Sequence, residues 1–169
     1  MGRDKRNEQR AEHYTKLVRN MMETHAWRAL SPTAQALYPW IRLEWRGPKA
    51  NNNGKLRLSV RQAAQKMGVS INTAARAFHD LQAKGFLVVI KPARLGLGGE
   101  AKSPEFELTE LGRPGAETPS GRKLYQDWRK GADYPVAKTQ ANNPKGANGK
   151  TKPCHQNEDS NVIKMKTSP

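Results

Sequence analysis

A mainly α domain with a small antiparallel β-hairpin is the fold class this sequence predicts, and three observations predict it. Apolar residues recur at i, i+3, i+4 and i+7 in two successive segments, Val60, Ala63, Ala64, Met67 and then Ala74, Ala77, Phe78, Leu81. That period puts side chains on one helix face. Only Gly68-Val69-Ser70 separates the two segments, so the chain must turn sharply between them. Downstream, Phe86–Ile90 is apolar and β-branched while Glu105–Thr109 alternates, the marks of two strands.

Composition bounds what surrounds this unit. The chain has 169 residues, 36% of them apolar and 7% aromatic, and a formal charge of +15. One domain is expected, with part of the chain too polar to offset its ordering entropy. No run approaches the roughly 18 apolar residues of a membrane span, and Met1–Arg6 leads into polar sequence, not a signal core. A cytoplasmic, nucleoid-associated protein is expected. With one cysteine, Cys154, and histidines at 13, 25, 79 and 155, neither a disulfide nor metal-ligand spacing is present. The positive excess favours a polyanionic partner, because Lys and Arg that neutralise phosphates release condensed counterions. It is spread along the chain as +3, +6 and +6 over residues 1–30, 31–112 and 113–169, from 7, 12 and 11 basic against 4, 6 and 5 acidic groups.

Taken in order, residues 1–30 hold an amphipathic helix over Lys5–Thr24, with Ala11, Tyr14, Val18, Met21 and Met22 at three- and four-residue spacings. That stripe packs on the core or, alternatively, makes a homodimer seam. Ser31-Pro32 is a cap followed by a first-turn proline, and Ala34, Leu37, Tyr38, Ile41 and Trp45 form one face after it. Pro39 lacks an amide proton and clashes with the Gln35 carbonyl, so a kink or break is expected there. Asn51-Asn52-Asn53-Gly54 reads as a turn and Lys55–Leu58 as a short strand, the third of a three-stranded wing.

The central segment, residues 31–112, carries the functional reading. Ser59 caps the first helix of the pair, Gly68 supplies the turn by reaching positive φ without steric cost, and Ser70 caps the second helix. Ala64, facing Ala74 and Ala77, lets the helices cross closely. Opposite the inward stripe the second helix carries Asn72, Ala75, Arg76, His79 and Ala83, with Asp80 on its flank. Such groups suit a major groove: Arg pairs with guanine, Asn with adenine, and a methyl meets thymine. Ser70 and Thr73 at the helix start, with Arg61 and Lys91, are placed to position the phosphate backbone.

The run Ala63–Phe78, followed by Leu81-Gln82-Ala83-Lys84-Gly85-Phe86-Leu87, resembles the helix-turn-helix of bacterial winged-helix regulators, above all the GntR-type pattern LGVSxxTVxRAL with its LxxxGhh ending, and MarR-like proteins more broadly. His25–Thr109 also resembles small helix-turn-helix proteins of bacterial genomes and mobile elements that begin HxAWRALSPxAxALY. Here Ala74 and Ala75 replace the Thr-Val or Val-Ser pair of the regulators. The resemblance implies a winged helix that binds double-stranded DNA, and the wing would add Lys91, Arg94 and Lys102 as phosphate or minor-groove contacts. Glu100, Glu105 and Glu107 argue against that contact by repelling phosphate.

Sequence-specific DNA binding, most commonly in transcription regulation, is therefore the expected function. Replication or maintenance of a plasmid, phage or integrated element, and a winged helix used for protein binding, are the alternatives. No enzyme is expected: His79 has no nucleophile or carboxylate orienter, and Leu95-Gly96-Leu97-Gly98-Gly99 opens no helix and lacks the Lys-Ser/Thr of a nucleotide site. No cofactor, metal or small-molecule ligand is evident, and Cys154-His155 is inert. Trp27, Trp40 and Trp45 are core or docking surface. Residues 113–130 hold a basic, aromatic stretch, Arg122–Lys130, that docks on the domain, meets a partner or touches phosphate; docking ranks first. Residues 131–169 are a disordered basic tail.

Overall fold

The computed structural model describes residues 14–95, 101–116 and 120–137. Its elements are α1 (Arg19–Met22), α2 (His25–Arg28), α3 (Pro32–Leu43), α4 (Val60–Met67), α5 (Ile71–Ala83), β1 (Leu87–Lys91), β2 (Arg94–Leu95), β3 (Ala101–Lys102), β4 (Glu105–Leu108) and a 3-10 turn at Leu124–Gln126. Helices with a small antiparallel sheet are thus the architecture. Among the described residues, no helix is long and apolar enough to cross a membrane.

The helix pair forms as its caps dictate. The Ser59 hydroxyl accepts from the Gln62 amide at 3.2 Å while the Gln62 side chain accepts from the Ser59 amide at 3.0 Å, so two orphan donors at the start of α4 are satisfied together. Gly68 ends α4 at φ 67°, ψ 33°, and the Ser70 hydroxyl accepts from the Thr73 amide at 3.1 Å to start α5. Ala63, Ala64, Ala74, Ala77, Phe78 and Leu81 are buried as the period requires, and α5 packs on both α3 and α4.

Three expectations need correction. Within the described residues the N-terminal helix is not continuous: residues 14–18 are not helical, α1 and α2 are four residues each, and residues 5–13 lie outside the described residues. Thr24 breaks the run, accepting from the Trp27 amide at 3.2 Å and donating to the Met21 carbonyl at 2.7 Å. The break lets Met21, Ala26, Trp27 and Leu30 all reach the core, which one straight helix along the Tyr14–Val18–Met22 stripe does not allow; those three stay exposed. Second, of the kink or break expected at Pro39, the break is absent, and α3 runs on to Leu43. Burying Leu37, Tyr38 and Ile41 around it, at about 1.5–3 kcal/mol each, outweighs a proline penalty of about 3 kcal/mol. Third, Lys55–Leu58 contributes no strand but a single bridge, Leu56 to Phe106.

Asn53 lies in the expected turn, which the Lys55 amide closes on the Asn52 carbonyl at 2.9 Å, and is also a buried bolt. Its Nδ2 donates to the Leu108 and Leu111 carbonyls at 3.0 and 2.7 Å and its Oδ1 accepts from the Leu108 amide at 2.8 Å, fixing the end of β4. β1 and β4 pair antiparallel, Leu87 with Leu108 and Val89 with Phe106, and a bulge at Ile90 sets Lys91 opposite Glu105. The hairpin continues through β2 and β3, with Arg94 opposite Lys102.

Residues beyond 112 pack into the core. Trp27, Tyr38 and Phe86 meet edge to face at centroid distances of 5.5 to 5.8 Å, and Tyr125 stacks on Phe86 at 4.8 Å with ring planes 2° apart. Trp128 is buried too, its Nε1 donating to Asp133 at 2.8 Å. Residues 133–137 lie along α5: the Tyr134 amide donates to the Ala83 carbonyl at 2.8 Å and the Ala137 amide to Gln82 Oε1 at 3.1 Å. Gly85, at φ 77°, is obligatory beneath this strap, since a Cβ there would come within 2.7 Å of the Tyr134 ring. Docking of the basic aromatic stretch is what the structure shows, through a 3-10 turn in place of a helix. Of the tail expected from residue 131, the structure describes residues 131–137; residues 138–169, Cys154 and His155 included, lie outside the described residues.

Candidate nucleic-acid interface

Helix α5 turns Asn72, Ala75, Arg76 and His79 outward, all exposed, as its 100° rotation per residue demands. Ala83, placed on the same face by sequence, is buried instead under the Tyr134 strap. Ile71 is exposed at the start of the helix and sequence reasoning overlooked it, although its place one residue after the cap, outside the inward stripe, was readable.

The only acid of α5 is turned away from this face. Asp80 accepts from the Ser31 amide at 2.7 Å and pairs with Lys84. Burial works to raise its carboxyl, but the Lys84 and Ser31 hydrogen bonds outweigh it and hold it below the usual aspartate range. Asp80 therefore ties α5 to the cap of α3 and is committed to Ser31 and Lys84. Among the described residues, Arg61, Arg76, Arg94 and Lys102 make no ion pair. Ser70 and Thr73 are committed partly to each other, their hydroxyls 2.8 Å apart.

At the hairpin the acids have a different role from the one sequence implied. Glu105 is buried and pairs with Arg57 and, at 2.8 Å, with Lys91; Glu107 is fully buried and held by Arg122 at 2.8 and 2.9 Å, with Arg113 at 3.8 Å. Glu107 is turned inward, and the Glu105 charge is countered by its two cations. Glu100 and the Gly96–Gly99 tip lie outside the described residues. Lys91 pairs with Glu105 while its side chain stays largely exposed. Arg57, Lys91, Arg94 and Lys102 nonetheless converge with Glu105 on one cavity of about 440 Å³, four cations around one carboxylate. Sequence reasoning missed Arg57, although the alternation of Leu56 and Leu58 inward puts it outward between them.

The hydrogen bonds from Lys91 and then Arg57 hold the Glu105 carboxyl at about 2, against an ordinary 4.5. A depressed carboxyl contributes stability that is complete above its unfolded value and lost as pH falls toward the folded one. Stability should therefore decline between about pH 4.5 and 2, and Glu105→Gln should flatten that decline in denaturant titrations. An equal acid loss in both proteins would contradict the pairing.

The tryptophans are structural. Trp27 is core, Trp40 lies under Lys66 at 4.9 Å, and Trp45 donates to Asn51 at 2.9 Å. Compared with known proteins, the chain matches no family model, no curated protein and no solved structure.

Proposed function

We propose that this chain is a winged helix-turn-helix protein that binds double-stranded DNA sequence-specifically and acts in transcription regulation. The observation that carries the reading is the outer face of α5: an amide, a guanidinium, an imidazole and a methyl, with the one acid of the helix drawn back to Ser31 and Lys84. In this reading Arg76 holds a guanine, Asn72 an adenine, Ala75 meets a thymine methyl and His79 reads the next edge. Ser70, Thr73 and Arg61 position the backbone beside the helix start. The hairpin supplies Arg94 and Lys102, with Arg57 and Lys91 oriented by Glu105. Tyr14, Leu17, Val18 and Met22, exposed within nine residues, support pairing of two copies at the N-terminal segment.

Salt dependence of duplex binding tests it. With about four phosphates neutralised, log affinity should fall against log salt with a slope of about −3.6, so a roughly fourfold rise in salt costs about 150-fold in affinity. Joint Arg94→Ala and Lys102→Ala replacement should bring the slope to about −1.8. A wild-type slope near zero would sink the reading.

A further inference from the structure

A second cavity is about twice the size of the cationic one. A space of about 880 Å³ lies between the rear of the outer face of α5, the hairpin and the strap, and its walls include Phe78, Ala83, Val89, Phe106, Tyr134 and Val136. Sequence reasoning had no sign of it, because its three walls come from segments more than 50 residues apart at the extremes. A volume of this size falls in the range of small-molecule sites, about 300–1,000 Å³, and leaving an apolar surface of that extent to water is unfavourable.

The polar groups around it are unequal. Gln82 is spent, donating to the Phe78 carbonyl and accepting from the Ala137 amide, and Asp133 accepts from Trp128. Ser59 is tied into its capping box. His79 and Lys102 line the cavity, are exposed, and make no ion pair among the described residues. We propose that this cavity is a binding site for a small apolar molecule with a single anionic end, its body against Phe78, Val89 and Phe106 and its carboxylate or similar head at Lys102 and His79. Because His79 and Lys102 also belong to the proposed DNA surface, an occupied cavity withdraws both from phosphate and bases and so weakens DNA binding; by linkage, DNA weakens the ligand equally. Only this coupling rests on the DNA reading.

The test uses the full chain in isothermal titration with decanoate, decanol and decyltrimethylammonium below their micellar concentrations. Decanoate should bind saturably at one site and tighter than either neutral or cationic analogue. Lys102→Gln should remove most of the preference over decanol, and Val136→Trp, on the half-buried end of the strap, should abolish binding with little change in melting temperature. No saturable decanoate binding, equal response to all three amphiphiles, or binding indifferent to Val136→Trp would each overturn the proposal. Should decanoate bind as stated while no duplex does, the site stands and the DNA reading alone falls.

Discussion

Replacing Tyr125 by Ala should cost about 3–5 kcal/mol of folding stability, out of the roughly 5–15 kcal/mol typical of a domain. The ring is buried and lies flat on Phe86, which itself meets Trp27 and Tyr38, so its removal opens a void where four segments converge. Offset and edge-on aromatic pairs add about 0.5–1.5 kcal/mol beyond area burial, and the void cannot close easily with Gly85 pinned beneath Tyr134 and the Leu124 backbone. Chemical denaturation of Tyr125→Ala beside Arg129→Ala, an exposed neighbour, measures it. A chain ended at residue 112 should show no cooperative unfolding at all, since it exposes Phe86 and deletes Trp128. If that truncated chain melts like the full one, the C-terminal flank is not part of the core.

Arg76→Ala should lose about 1–3 kcal/mol of discrimination between the preferred duplex and one altered at a single guanine, roughly 5- to 150-fold. Arg76 lies midway along the outer face of α5, in no ion pair among the described residues, and its truncation leaves the buried Ala74, Ala77 and Phe78 stripe untouched. The loss should therefore appear in site preference with the melting temperature unchanged. Lys102→Ala should instead weaken all duplexes alike, as a phosphate contact does. Competition binding with the parent and altered duplexes separates the two patterns.

What could be read from the sequence follows what is local. The caps at Ser31, Ser59 and Ser70, the turn at Gly68 and the inward stripes of α4 and α5 are set within a few residues, so periodicity and cap chemistry sufficed, and with them the outward Asn72, Arg76 and His79. The failures are long-range. Whether Pro39 breaks a helix depends on how much Leu37, Tyr38 and Ile41 bury, and whether Glu105 repels phosphate depends on Arg57, 48 residues away in sequence. Docking of the basic stretch could be expected, but not the surface that receives it, because Phe86, on which Tyr125 stacks, is distant in the chain. The cavity was invisible for the same reason: each wall is an ordinary apolar segment until the strap closes over α5.

Selection of bound duplexes from a random pool, run in parallel with the wild-type chain and Arg76→Ala, tests the central claim most directly. The wild type should enrich a defined sequence containing a guanine whose enrichment disappears in the variant, and an inverted repeat among the winners would mark a paired N-terminal segment. No enrichment by the wild type at moderate salt, or identical winners for both proteins, would contradict base reading by α5.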